Sequence, residues 1–285
     1  MIPLTIASSL RRAAQSVRHH HRLHLLQPVW ALLRRPYLAT LQLLAGGSGI
    51  EVEIAGCGIR LSPKFATQNW ETVEAGSYRA FLESLVSGAV VYDVGAHIGT
   101  YSIIALKRSG PAGRVVAYEP HEFTRRYLQQ HLRWNDGLDR TIIRDVCCGA
   151  ALGSADFYCI PDQAEGMSGL VPVEGFAKEA VRVTTLDREV RDLGLVPDII
   201  KIDVEGAEWD VLKGAEQTLA THGPTLFLSV HPEALSTLGI DVEDIKGWLS
   251  ERGYAWQVVA RDHELHVVAR RPGWPRGPAQ KVLPE

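Results

Sequence analysis

From residue 89 onward the sequence alternates short apolar runs of strand length with longer runs of helical periodicity, an order that few folds accept. Runs suited to strands fall at 89–94, 114–119, 141–147, 198–204 and 225–230. Helical patterns at 100–108, 122–134, 209–221 and 242–252 lie between or after them, the last stopped by Gly253. Strands separated by helices make a parallel sheet covered on both faces. The unbroken apolar character of 89–94 suits a strand buried on both sides. Two last runs, 254–260 and 264–270, flank Arg261, Asp262 and His263 and read as an antiparallel hairpin. The expected fold class is α/β: a Rossmann-like, mostly parallel sheet closed by a C-terminal antiparallel hairpin.

Composition divides the rest. The net charge is −3, yet the first fifty residues hold six Arg and no acid, which leaves about −9 to residues 51–285. An acidic body argues against nucleic acid as a partner, because phosphates need a basic face. Residues 1–49 read as a basic helical extension, divided into two short helices by Pro28 and Pro36. Residues 50–88 read as a lead-in hairpin, turning at 56–58, and a helix at 70–85. Residues 89–271 read as the main domain and 272–285 as a flexible Pro-rich tail. Two readings of 1–45 stand. One is a basic amphipathic arm on an anionic membrane surface; the other is a helical extension packed on the main domain or on a second subunit. The His19, His20 and His21 run reads as part of a solvated basic face.

No run of eighteen apolar residues occurs, and Arg11, Arg12, Arg18 and Arg22 interrupt any secretory pattern. Cys57, Cys147, Cys148 and Cys159 show no zinc-ligand spacing and suit a reducing compartment. The expected location is the cytoplasm, with peripheral membrane contact as the alternative.

The first strand runs into Asp93-Val94-Gly95-Ala96-His97-Ile98-Gly99-Thr100. Open parallel sheets bind ligands at the carboxyl ends of strands, where the strand order reverses. Gly95 and Gly99 permit a tight strand-to-helix turn and a close backbone approach. Asp93 offers an acceptor for an ammonium group. The second strand ends twenty residues past Gly99 in Glu119-Pro120, and a carboxylate there can accept both hydroxyls of an adenosine ribose. A dinucleotide site would space its glycines GxGxxG, whereas these are GxxxG. The acid two residues before Gly95 would crowd a pyrophosphate but suits the amino acid end of S-adenosylmethionine. Candidate cofactor contacts are Asp93, Gly95, Ala96, His97, Gly99, Thr100, Glu119, Pro120 and Asp203.

A second constellation is Asp198-Ile199-Ile200-Lys201-Ile202-Asp203-Val204-Glu205-Gly206-Ala207-Glu208. Strand alternation through 198–204 predicts Lys201, Asp203 and Glu205 on one face. Charges on a central strand are costly unless paired or functional. The bland alternative is an ion-paired cluster capping the next helix, with Glu205 or Glu208 near its positive end. The fifth strand delivers Ser229-Val230-His231-Pro232. A histidine there is either a general base or a residue that only orients a loop. Candidate catalytic residues are His231, Asp203, Glu205 and Lys201.

The segments VYDVGAHIGTYS, VVAYEP, TTLD and IIKIDVEGAEWDVLKGAE resemble the FkbM family of S-adenosylmethionine-dependent methyltransferases, over about residues 71–253. The resemblance implies a class I methyltransferase sheet and methylation of a hydroxyl on a sugar, glycan or secondary metabolite. It implies cofactor contacts at Asp93, Gly95, Gly99 and Glu119, and positions near the reaction centre at Asp203, Glu205 and, more loosely, His231. His97 stands where the family usually has Asn.

On that reading the protein aligns oxygen, methyl and sulfur, and His231 or the Asp203/Glu205 pair takes the hydroxyl proton. A divalent metal held by Asp203 and Glu205 is the other route to a reactive oxygen. Residues 154–183, with Gly166, Gly169 and Gly175, read as a short hairpin with a mobile loop that closes over the acceptor. A homo-oligomer is compatible with this sequence. Two other classes remain open: a nicotinamide-dependent oxidoreductase on a similar sheet, and a non-catalytic scaffold docked to a membrane through residues 1–45.

Overall fold

In the computed structural model, residues 27–70, 74–164, 168–262 and 264–273 are described. The arginines and histidines of the first 26 residues, Gly166, His263 and most of the Pro-rich tail lie outside them.

Helix α1 (Gln27–Leu44) runs through Pro36, where the sequence predicts a division; the part of that expectation before residue 27 lies outside the described residues. Pro28 falls in the first turn, where its missing N–H leaves no bond unmade. Pro36 lies inside the helix, and the Thr40 hydroxyl donates to its carbonyl at 2.9 Å. One lost backbone bond does not stop a helix that continues on both sides. No helix among the described residues is long and apolar enough to cross a membrane.

Strands β1 (Ile50–Ile54) and β2 (Cys57–Leu61) form the lead-in hairpin. Its turn is Ala55-Gly56, one residue earlier than predicted, with φ of 48° and 84°. Two positive φ values make a type I′ turn, whose twist matches that of the strands. Ile50, Val52, Ile54, Ile59 and Leu61 are buried. The hairpin continues into α2 (Pro63–Ala66), and α3 (Ala75–Ser84) follows.

The main sheet begins with β3 (Val90–Val94), followed by α4 (Thr100–Ser109), β4 (Arg114–Tyr118), α5 (Glu122–Trp134) and β5 (Thr141–Arg144). A side sheet then intervenes: β6 (Cys147–Cys148), β7 (Gly153–Cys159) and β8 (Ala177–Thr184), in the order β6-β8-β7. The run 141–147 therefore splits, because Cys147 and Cys148 leave the main sheet to pair with Val183 and Thr184. Helix α6 (Leu186–Leu193) leads to β9 (Ile199–Ile202). The expected helix 209–221 is two helices, α7 (Glu208–Lys213) and α8 (Glu216–His222). The break is at Gly214, where a side-chain methyl would lie 2.0 Å from the Gly149 carbonyl oxygen. Then come β10 (Thr225–Val230), α9 (Pro232–Thr237), α10 (Val242–Glu251), β11 (Ala255–Arg261) and β12 (Leu265–Arg270).

The seven strands lie in the order β11-β12-β10-β9-β3-β4-β5, with β12 antiparallel to both neighbours. This is the α/β sheet and closing hairpin the sequence predicts. Alternation along each strand divides its side chains between two apolar layers. Val91, Val115, Ile199 and Phe227 pack with the lead-in hairpin, Phe81 of α3 and Ile104 of α4. Tyr92, Val116, Ile200 and Leu228 pack with Leu186, Val211, Leu219 and Leu249 on the other face. The chain leaves β3 toward β4 and β5, then returns to the other side at β9, so the strand order reverses between β3 and β9. Crevices form at such a point.

His131 ties the hairpin to that crevice. Its Nε2 accepts from the Ser62 N–H at 2.9 Å, and its Nδ1–H donates to the Ile98 carbonyl at 2.9 Å. Both bonds need the neutral ring, and burial pulls its pKa down to about 4.

Candidate active site

The turn after β3 is built by three departures into positive φ at alternate residues: Gly95 at 80°, His97 at 50° and Gly99 at 89°. Gly95 must be glycine for a second reason, since a methyl there would sit 1.8 Å from the Asp203 carbonyl oxygen. The Asp203 N–H donates to the Val94 carbonyl at 3.0 Å, so the tips of β3 and β9 touch through backbone alone.

Glu119, just past β4, closes the other side of the turn. Its Oε2 accepts from the His97 N–H and its Oε1 from the His121 N–H, each at 2.9 Å. Burial raises the carboxyl pKa to about 8, against the pull of those two N–H groups and Arg125. Arg125 donates to the carbonyls of Glu119 and Pro120.

A cavity opens between these tips, with an empty volume of about 590 Å³ counting its mouth. One wall is Gly95, His97, Glu119, Pro120 and Asp203; Cys147, Phe157 and Leu170 give it an apolar side. Ser168 Oγ and His97 Nε2 are buried there without a hydrogen-bond partner among the described residues. The other predicted cofactor contacts do not line the cavity. Asp93 is buried beneath the turn, where it accepts from the Ser102 hydroxyl at 2.5 Å and burial raises its pKa to about 6. Thr100 hydrogen-bonds to the Tyr78 hydroxyl, and Gly99 packs on Leu128. Phe157, Ser168 and Leu170 belong to the segment 154–183 that the sequence places over the acceptor; the structure sets these three on the wall of this cavity, although no local signal singles them out.

Beside the cavity lies a cluster of charge. Strand β9 ends at Ile202, so period-two alternation does not carry through to Glu205 as predicted. Lys201 and Asp203 do meet, Nζ to Oδ2 at 2.9 Å, while Glu205 is turned by its own left-handed φ of 53°. Lys201 is buried, donates also to Ser229 Oγ at 2.9 Å, and lies over the Tyr101 ring. Burial opposes its charge, but Asp203, Glu74 and Glu264 outweigh that and raise its pKa. Lys201 therefore supports Asp203 from behind and does not reach the cavity.

His231 follows β10 and donates from Nδ1 to Glu208 Oε1 at 2.8 Å. Glu208 Oε1 also accepts from the Gly206 N–H, so the helix-start role expected of Glu208 and the orientation of His231 are one arrangement. His231 Nε2 faces Glu205 Oε2 at 3.4 Å, Glu264 Oε2 at 3.4 Å and Asp203 Oδ1 at 3.9 Å. Burial opposes protonation of the ring, yet the surrounding carboxylates, Glu208 first, raise its pKa to about 10. Burial also raises Glu205, to about 7. Glu264 was not legible beforehand: it belongs to the last hairpin and arrives only when β12 pairs with β10. Among the described residues, Asp203, Glu205 and His231 present donor atoms within 4.8 Å of one another, close enough to share a metal ion.

Comparison with known proteins bears on this geometry. A model of the FkbM methyltransferase domain matches residues 93–255, from the acid under the glycine turn to the start of β11. Methyltransferase sdnD of Sordaria araneosa is 30% identical over 169 residues, covering 48% of this chain and 64% of that protein. Hexuronic acid methyltransferase AglP of Haloferax volcanii is 27% identical over 227 residues, covering 77% of this chain and 87% of that one. A solved FkbM methyltransferase from Methylobacillus flagellatus superposes with a TM-score of 0.47 at 19% identity, covering 87% of this chain and 59% of that one. The chain thus spans less than two thirds of sdnD and of the solved structure. With more than half of its residues matched by the domain model, the chain belongs to the FkbM methyltransferase family.

Proposed function

We propose that the protein transfers the methyl group of S-adenosylmethionine to a hydroxyl oxygen of a sugar, glycan or other small molecule. The observation that carries this reading is the cavity at the β3/β9 reversal, with Glu119 clamped across the glycine turn and an acid–histidine cluster alongside. The lining suits the cofactor from end to end. Apolar Phe157, Leu170 and Cys147 suit a purine face, and Glu119 keeps one further hydrogen-bonding site on each oxygen for ribose hydroxyls, an acceptor where the oxygen is bare and a donor where it carries the proton. The unpaired His97 Nε2 and Ser168 Oγ offer further polar partners. Asp93 acts from below, fixing α4 through Ser102 so that the turn keeps its shape.

When bound, the cofactor supplies a methyl group already activated on a sulfonium, so positioning does most of the chemistry. The protein must also take the hydroxyl proton. Glu205 is the better base, because its pKa near 7 lies close to working pH and its side chain is partly open. His231, fixed through Nδ1 by Glu208 and facing both acids, positions Asp203 and Glu205.

The deciding experiment supplies S-adenosylmethionine with a labelled methyl group to the full chain and a panel of hydroxyl acceptors, uronic acids among them. Label in an alkali-stable ether product supports the reading. Calorimetry that detects no binding of S-adenosylmethionine or its demethylated product would overturn it.

A further inference from the structure

The acid–histidine cluster is more ordered than a group of neighbouring charges needs to be. Glu208 has no exposed side-chain surface and spends Oε1 on the Gly206 N–H and His231 Nδ1. That fixes the ring and aims Nε2 into a pocket walled by three carboxylates from two distant parts of the chain. Asp203 and Glu205 come from the turn after β9, and Glu264 from the residue before β12. His231 is 7% exposed, yet its Nε2 makes no hydrogen bond among the described residues.

The distances matter. A free Nε2–H would close one charge-assisted contact to about 2.7–2.9 Å, as Nδ1 does with Glu208 at 2.8 Å. Here Nε2 stands off two oxygens at 3.4 Å and a third at 3.9 Å. Ligands held about 2.1 Å from a common centre lie about 3.4 Å apart in a tetrahedron and about 3.0 Å apart along an octahedral edge. Asp203, Glu205 and His231 each bring a donor atom within 4.8 Å of the others, as ligands of one ion must. Lys201 takes only Asp203 Oδ2, so Oδ1 stays directed at the centre. The contact between a ligating histidine's far nitrogen and a buried carboxylate is also how proteins orient a metal-binding ring.

We propose that His231 Nε2, Asp203 and Glu205 bind one divalent metal ion, with Glu208 as the positioning residue for His231 and Glu264 a further acid beside the site. One imidazole and two carboxylates are a borderline donor set, suited to manganese or zinc more than to calcium. A consequence follows that rests on the methyl-transfer reading. An ion there would coordinate the acceptor's hydroxyl oxygen and lower its pKa. With the ion in place Glu205 serves as a ligand and not as the base, so the O–H proton passes to water, the oxygen–methyl bond forms, and the sulfur–methyl bond breaks to leave a neutral thioether. Ion binding itself does not rest on that reading.

The test titrates chelator-treated full-length protein with manganese(II) and follows the free ion by electron paramagnetic resonance. Saturable, submillimolar binding of one ion per chain is expected. Glu205→Gln should weaken it at least tenfold. Glu208→Gln should weaken it about 10–100-fold, the usual cost of losing such a partner. Asp262→Asn is the control, because Asp262, Glu264 and His266 form a separate cluster of donor atoms nearby. It should leave binding unchanged. Circular dichroism confirms that each variant is folded, and Glu205, partly open to solvent, is the safer substitution. Absence of saturable binding in the unaltered chain overturns the proposal. Loss in Asp262→Asn with none in Glu205→Gln overturns it too, by moving the ion to the other cluster. Calorimetry with S-adenosylhomocysteine on the same sample separates the two readings, since either ligand can bind when the other does not.

Discussion

Gly95 and Asp203 meet backbone to backbone: a methyl on Gly95 would lie 1.8 Å from the Asp203 carbonyl oxygen, and the Gly95 φ of 80° already disfavours any side chain. The two halves of the site, cofactor turn and acid cluster, are held in register by this contact.

Gly95→Ala should therefore cost at least about 2 kcal/mol of stability, combining a left-handed backbone with a forced separation of two strand tips. It should also abolish binding of S-adenosylhomocysteine. Thermal unfolding and calorimetry read the two effects. A variant that is as stable as the parent and binds equally well would show that the tips can part freely.

Glu119 makes stability depend on pH in a defined direction. Its folded pKa of about 8 lies above the ordinary 4.5, so its contribution is fully present below about pH 4.5 and is lost as pH rises through 8. Between those values the unfolded chain releases a proton that the folded one keeps, which lowers stability by at most about 1.4 kcal/mol per pH unit. Glu119→Gln removes the titration. It carries a constant penalty, because its NH₂ must face the N–H of His97 or His121. The stability of the variant relative to the parent should therefore improve steadily from pH 5 to pH 8 in ligand-free denaturant titrations. A flat difference would mean that Glu119 is ionised throughout.

Removing the proposed base tests the chemistry apart from binding. Glu205→Gln should lower turnover by about 10²–10⁴-fold. Affinity for S-adenosylhomocysteine should change much less than turnover: Glu205 lines the cavity, but the substitution leaves the glycine turn and Glu119 intact. Single-turnover label transfer at saturating cofactor gives the first number and calorimetry the second. Equal losses in both would reassign Glu205 to cofactor binding.

Lys201 and Asp203 form a pair whose members should not be separable at low cost. Lys201→Met removes a buried ammonium that is bonded to Asp203 Oδ2 and Ser229 Oγ. It leaves an uncompensated carboxylate, at a cost of about 3 kcal/mol or more. Adding Asp203→Asn should recover part of that loss. A double-mutant cycle in denaturant gives the coupling, and strict additivity would show that the pair is not energetically linked.

The sequence by itself determined the sheet. Strand and helix order is local information, carried by runs such as 225–230 and 122–134, whose bounds match β10 and α5. The glycine turn and Glu119 were legible for the same reason, because turn chemistry and a strand-end acid are read from adjacent residues. Tertiary structure decided the rest. Asp93 could be assigned a place near the turn, but only packing shows it beneath the cavity on Ser102. Glu205 reaches the cluster through a left-handed residue that alternation cannot anticipate. Glu264 and the Phe157–Leu170 wall lie far along the chain from the glycine turn. They join the site because an antiparallel hairpin and a side sheet fold back over it, and no local propensity encodes such contacts.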